Sequence, residues 1–244
     1  MKRCLLLALT LVLPALAQEP PAKLRVVVAT GGHDFERGPF ETMWNELPGI
    51  TWREVKHPAV HALFKPEAAR DYDVLVLYDM PSAISDEAKR DLVALLTARK
   101  PVVALHHSLG GYDNWPEYWT ILGGHYMLAP KKIHGATYPA STYEHDVRFP
   151  VKVADPEHPV TKGLGDWDLL DEVYGQFWVL PSVTPLLTTT EPKSGPVIGW
   201  THRYANSQVV YLEPGHGPSS WNDATYRTLL VNAMRFAHEQ TRPR

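Results

Sequence analysis

Three separated stretches of this 244-residue chain put histidine in or beside a glycine turn: Gly31-Gly32-His33-Asp34-Phe35, His106-His107-Ser108-Leu109-Gly110-Gly111 and Pro214-Gly215-His216-Gly217. Glycine lets the backbone turn sharply there, and imidazole both carries protons near neutral pH and ligates metals. A fourth stretch, Asp171-Glu172-Val173-Tyr174, adds carboxylates. Imidazoles with one carboxylate are a ligand set for zinc, manganese or iron. His33, His107 and His216 are therefore the candidate ligands of a divalent metal ion, and His216 and Glu172 the candidate catalytic groups. Neighbouring residues on a strand face opposite ways, so one of Asp171 and Glu172 enters a site directly. The same holds for His106 and His107 unless the chain turns sharply between them. His107, nearer the turn, is the expected ligand, which leaves His106 to packing or substrate contact. Ser108 stands where a strand-to-helix elbow would display a nucleophile, or it merely caps the helix that follows. Asp34 has the same two readings, ligand contact or cap, and His216 could be an ordinary loop residue.

Other chemistry is excluded by composition. The one cysteine, Cys4, opens the apolar run Leu5–Leu13, so thiol nucleophiles, disulfides and thiolate metal sites are not expected. No HExxH, GxSxG or GxGxxG pattern occurs, which argues against zincin, lipase-type and nucleotide-cofactor readings. Residues 1–17 have the layout of an export signal: Lys2 and Arg3, the apolar run, then Ala15-Leu16-Ala17. The expected destination is the periplasm or the exterior, with no membrane association after cleavage. Of 24 basic and 27 acidic residues, two basic ones fall in this leader; the acidic remainder speaks against a nucleic-acid partner. Tryptophan lies near the glycine-histidine turns in sequence. Because aromatic faces with a polar edge suit sugar rings, Trp115 and Trp221 join Asp34, His106 and Tyr174 as expected substrate contacts. A homo-oligomer is compatible with all of this.

These groups need elements to hold them. After a tether at residues 18–23, a domain over residues 24–240 opens with Leu24–Thr30, a continuous apolar run. Tyr72–Tyr78 and Pro101–Leu105 are similar, as expected of strands covered on both faces. Ser85 with Asp86 and Glu87 starts a helix that carries Ala88, Leu92, Leu95 and Leu96 on one side and ends near Lys100-Pro101. Strand and helix alternating in this way predict an α/β protein with a mostly parallel sheet. Further strands are expected at Val147–Val153, Glu172–Val179, Val197–Thr201 and Gln208–Leu212, with a closing helix over Ser219–Ala237. His125–Asp146 reads as loops. In such sheets ligands bind at the carboxyl ends of strands, where the histidine turns fall.

GGHDF at 31–35, DVLVLYD at 73–79, ALHHSLGG at 104–111 with Trp115-Pro116-Glu117-Tyr118, HPVTKGL at 158–164, DEVY at 171–174, PVIGWTHRY at 196–204 and VVYLEPGH at 209–216 followed by Trp221 together resemble the ThuA-like family, named for trehalose utilisation. The resemblance runs from Leu24 to the last helix. It implies a flavodoxin-like three-layer sandwich similar to class I glutamine amidotransferases, whose elbow holds a cysteine; HHSLG puts Ser108 at that place, so amidotransferase activity is not implied. The family's link to disaccharides and 3-keto-sugars, often beside sugar dehydrogenases, implies a small sugar substrate. Three functions follow: metal-assisted hydrolysis, elimination or isomerisation of a keto-glycoside; a metal-free Ser108/His216 hydrolase; or a non-catalytic sugar-binding protein.

Overall fold

The computed structural model describes residues 23–241; the expected leader and all of the tether but Lys23 lie outside them. Strands β1 (Leu24–Gly31), β2 (Ile50–Lys56), β3 (Val74–Asp79) and β4 (Val102–Leu105) alternate with helices α1 (Arg37–Glu46) and α2 (Asp86–Thr97). After α3 (Pro116–Leu122) come short strands β5 (Gly124–His125), β6 (Lys131–Ile133) and β7 (Ala136–Tyr138). The ribbon β8 (Thr142–Val153) and β9 (Trp167–Gly175) follows, then β10 (Trp178–Val179), β11 (Thr184–Thr188), β12 (Val197–Tyr204) and β13 (Ser207–Leu212). Helices α4 (Pro218–Trp221) and α5 (Ala224–Thr241) close the chain.

Nine strands form one sheet in the order β2-β1-β3-β4-β13-β12-β11-β8-β9. Its first five strands are parallel, and the remaining four extend it antiparallel. The parallel strands read as unbroken apolar runs because both faces are covered. On one face Val26, Val28, Val76, Leu105 and Leu212 pack against α1 and α5 through Phe40, Trp44, Leu229 and Met234. On the other, Val27, Leu75, Leu77, Ala104 and Tyr211 meet α2 and α3 through Leu92, Leu96, Tyr118 and Leu122. This is the expected three-layer sandwich.

Ser85 caps α2, its hydroxyl accepting from the Ala88 amide at 3.1 Å, with Asp86 and Glu87 in the first turn where the helix dipole favours negative charge. The helix stops at Thr97, three residues short of the expected end, because Arg99 turns left-handed (φ 70°). The closing helix is two helices, α4 and α5, separated by Asn222 and Asp223; the Asp223 carboxylate accepts from the Tyr226 amide and starts the second. Part of the expected loop region is ordered as strand: β6 and β7 pair as a hairpin, and β8 begins five residues ahead of its expected start at Val147. Strand β9 likewise begins at Trp167, before Glu172. β11 was not expected; it lies between two strands of the antiparallel extension.

Candidate active site

The long β8–β9 ribbon is what completes the site. Although β9 is the outermost strand of the sheet, it crosses the carboxyl edge, so that its Glu172 meets His106 just after β4 and its Asp171 meets the loop after β13. The two carboxylates face opposite ways, as strand alternation requires.

His106 stands at the apex of the turn that follows β4, with a left-handed backbone (φ 45°) that costs a β-carbon-bearing residue about 1 kcal/mol or more. This twist is the sharp turn that lets both neighbouring imidazoles reach the same region: the rings of His106 and His107 lie 5.6 Å apart at 87°. It also corrects the expected assignment of the elbow, which belongs to His106, while Ser108 lies two residues further on. The Nδ1 of His106 is 2.6 Å from the Glu213 carbonyl oxygen. A carbonyl only accepts, so Nδ1 carries the proton and donates it. Nε2 then faces Glu172 Oε2 at 2.7 Å, the Tyr174 hydroxyl at 2.8 Å and His216 Nδ1 at 3.2 Å. His216 Nδ1 is in turn 3.1 Å from the same Glu172 oxygen, and His145 Nδ1 is 3.3 Å from the other.

Burial pushes the Glu172 carboxyl up, but hydrogen bonds and charge from His106 and His216 outweigh it and hold the group well below the usual carboxylate range. The Glu172 hydrogen bond raises His216 above the ordinary histidine value. His33 and His107 go the other way, lowered first by burial and then by neighbouring imidazoles. Their rings stack 4.4 Å apart at 19°. His33 Nδ1 donates to the Asp34 carbonyl at 2.8 Å, which leaves its Nε2 as the basic nitrogen.

The expected metal set is therefore rearranged. The described residues whose donor atoms converge as a group of three or more are His106, Glu172 and His216; His33 and His107 lie beside this cluster. The donor set fits a divalent ion: two imidazoles and a carboxylate form a common open set for zinc or iron, and a ligating histidine usually donates its other nitrogen to a fixed acceptor, as His106 does.

Two cavities meet at Glu172, His145 and His216, which line both. One, about 680 Å³, is rimmed by Asp34, Glu36 and Asp146 and the loop Gly217–Ser219. The other, about 390 Å³, is walled by Met80, Tyr126, Leu128, Tyr143 and Tyr174, with His33 and His107. His33, His107 and His216 thus open into one cavity, as the strand-end rule predicted.

Asp171 anchors the loop that carries His216. Its carboxylate accepts from the amides of Gly215 (2.7 Å) and His216 (3.2 Å) and from the Ser220 hydroxyl. The Gly215 carbonyl accepts from Tyr78 and Trp221. At Gly215 (φ 129°) a β-carbon would sit 2.4 Å from the Tyr226 hydroxyl, so only glycine fits this bend.

Trp221 is consequently a buried support of the loop and not a substrate contact. Trp115 is on another surface, against Lys89 of α2; nearness in sequence did not carry over into space. Ser108 is fully buried and its hydroxyl has no partner, so no Ser108–His216 pair forms. Ser108→Ala is expected to change turnover by less than about twofold and stability by under about 1 kcal/mol, since no hydrogen bond is lost. Labelling of Ser108 by a phosphonylating probe would contradict this. Sequence reasoning missed His145, Tyr126, Leu128 and Tyr143. His145 and Asp146 occupy an irregularity in the β8–β9 pairing, between Glu144 and Val147, for which no periodic signal exists.

Glu213, beneath the site, receives the Tyr174 amide on Oε1 at 3.2 Å, while its Oε2 is buried without a partner. Burial raises this carboxyl well above the ordinary glutamate value. The unfolded chain loses that proton at the ordinary value and the folded chain only at higher pH, so stability falls as pH climbs between the two. Glu213→Gln removes this loss. Its urea midpoint is expected to match the parent near about pH 4 and exceed it near about pH 8; parallel midpoints would contradict a neutral Glu213.

A family model described as "ThuA: Trehalose utilisation" matches residues 25–237. Among solved structures, a ThuA-like protein from Parabacteroides merdae is similar with a TM-score of 0.72 and 17% identity, over 88% of this chain and 90% of that one. A ThuA-like protein from Bacteroides uniformis gives 0.66 and 20%, over 91% and 94%. A protein from Thermoplasma acidophilum described as part of a GMP synthase gives 0.51 and 14%, over 89% and 95%, the same fold in an amidotransferase setting. No curated protein matches the chain.

Proposed function

The chain belongs to the ThuA family, and from that premise we propose that it is an enzyme of sugar metabolism that breaks or rearranges a keto-glycoside by proton transfer at the His106–Glu172–His216 cluster. The observation that carries this reading is the convergence of His106 Nε2, Glu172 Oε2 and His216 Nδ1 within 3.2 Å of one another at the junction of two cavities. A divalent ion held by these three groups would act as a Lewis acid on the ketone oxygen.

Proton transfer falls to the residues beside the cluster. His33, kept neutral by burial and fixed in one tautomer by the Asp34 carbonyl, is the general base. It takes the hydrogen from the carbon next to the ketone. The electron pair left behind forms a carbon–carbon double bond as the bond to the glycosidic oxygen breaks, and that oxygen leaves as an alcohol with a proton from an imidazolium, for which His145 is placed at the cavity junction. Addition of water to the resulting enone completes a net hydrolysis. No second carboxylate across the bond is needed, which agrees with Asp171 being engaged by three donors of the His216 loop. Tyr174 and Glu213 orient His106.

Elemental analysis and single-turnover kinetics on a 3-keto-glucoside test this. About one divalent ion per chain is expected in the parent, lost in His216→Ala, whereas His33→Ala should retain the ion and lose about 10²- to 10⁴-fold in rate. A metal-free parent with full turnover overturns the role of the ion, and an active His33→Ala overturns the base.

A further inference from the structure

Resting on the reading of the site as one that processes a glycoside, we infer that its substrate has two unlike halves: an uncharged sugar ring held in the acidic cavity and a flat, apolar aglycone held in the cavity of Met80, Leu128 and Tyr143. The two cavities meet at Glu172 and His216, so a bond cut there has one half of the substrate in each.

Their chemistries differ. Asp34, Glu36 and Asp146 rim the first; carboxylates accept hydrogen bonds and suit the many hydroxyl donors of a sugar. Among the described residues lining either cavity there is no lysine or arginine. Phosphate and carboxylate groups are recognised chiefly by such cations, and the acidic rim repels them, so sugar phosphates and uronates are poor ligands.

The second cavity presents Leu128 and Tyr143, 55% and 60% exposed, which are the exposed large hydrophobic residues of the described chain. Both open on this one cavity. Tyrosine alone would serve a second sugar ring, but leucine offers nothing to a hydroxylated face and gains only by covering apolar surface. Tyr126 and Tyr174, with ring centres 4.8 Å apart, continue the same wall. An aromatic leaving group fits this surface better than the second sugar of a disaccharide does.

Isothermal titration with unoxidised, hence unreactive, ligands tests the inference: both anomers of 4-nitrophenyl glucoside and methyl glucoside, trehalose, and glucose 6-phosphate. One anomer of the aryl glucoside is expected to bind about tenfold or more tighter than its methyl counterpart and than trehalose, with no detectable binding of the phosphate. The Leu128→Ser/Tyr143→Ser double variant, altered only at exposed positions, should bring the aryl glucoside down to the affinity of the methyl glucoside. Equal affinities, a preference that survives the double variant, or tight binding of trehalose overturns the inference, as does a dimer that the double variant dissolves without any aryl preference. Turnover of the 3-keto forms, measured alongside, separates the two claims: aryl preference without turnover defeats the proposed reaction alone, and turnover without aryl preference defeats the bipartite substrate alone.

Discussion

Replacing Glu172 with glutamine is expected to lower kcat/KM on a keto-glycoside by about 10³-fold, within the range for loss of a group that acts on proton transfer or metal binding. The amide keeps the shape of the side chain, so the effect isolates charge. In the parent the carboxylate lies within 3.3 Å of His106, His216 and His145; in the variant these rings face a neutral group, and an ion held by two imidazoles and an amide binds far more weakly. A second readout is the acid limb of stability. A carboxyl whose folded pKa is depressed contributes stability that is present above its unfolded pKa and lost as pH falls toward the folded one. Glu172 is depressed, so the parent should lose midpoint temperature more steeply than Glu172→Gln as pH drops below about 4.5. Parallel acid limbs with unchanged kinetics would remove Glu172 from the mechanism.

Asp171→Ala is expected to be the most destabilising change at the site while touching no substrate. It leaves the Gly215 amide, the His216 amide and the Ser220 hydroxyl without their acceptor. Each stranded buried donor costs about 1–3 kcal/mol, so a loss of about 3–5 kcal/mol is expected, seen as a fall in Tm on the order of 10 °C for a chain this size. Because the loop that loses its anchor carries His216, kcat should fall as well. Asp171→Asn, which keeps one accepting oxygen, should recover part of both. A Tm close to the parent's with normal kcat would show that Tyr78 and Trp221, which also hold Gly215, suffice.

The parallel half of the fold was readable because β1, β3 and β4 are covered on both faces and so appear as unbroken apolar runs. The first half of β8 was not: residues 142–145 are exposed, and their sequence carries no alternation. The strand-end histidines were readable for a topological reason, since loops after parallel strands converge at one edge. Which of His106 and His107 joins Glu172 was not readable, because it depends on one backbone torsion at His106. Trp115 was misplaced for the converse reason; proximity to a glycine-histidine turn along the chain says nothing about the side of the sheet on which a later helix lies. Leu128 and Tyr143 come from separate excursions that only the folded ribbon brings to one cavity.

The position of β9 at the far edge of the sheet has a consequence for how activity arises during synthesis. Glu172 must wait for β8, β11, β12 and β13 to be laid side by side before it reaches His106, so the catalytic cluster is built of contacts distant in sequence and closes among the last events of folding. A truncated or nicked chain that has kept every imidazole but lost its antiparallel margin would still contain the parallel half and be inert, which protects the cell from a half-made enzyme acting on its sugars.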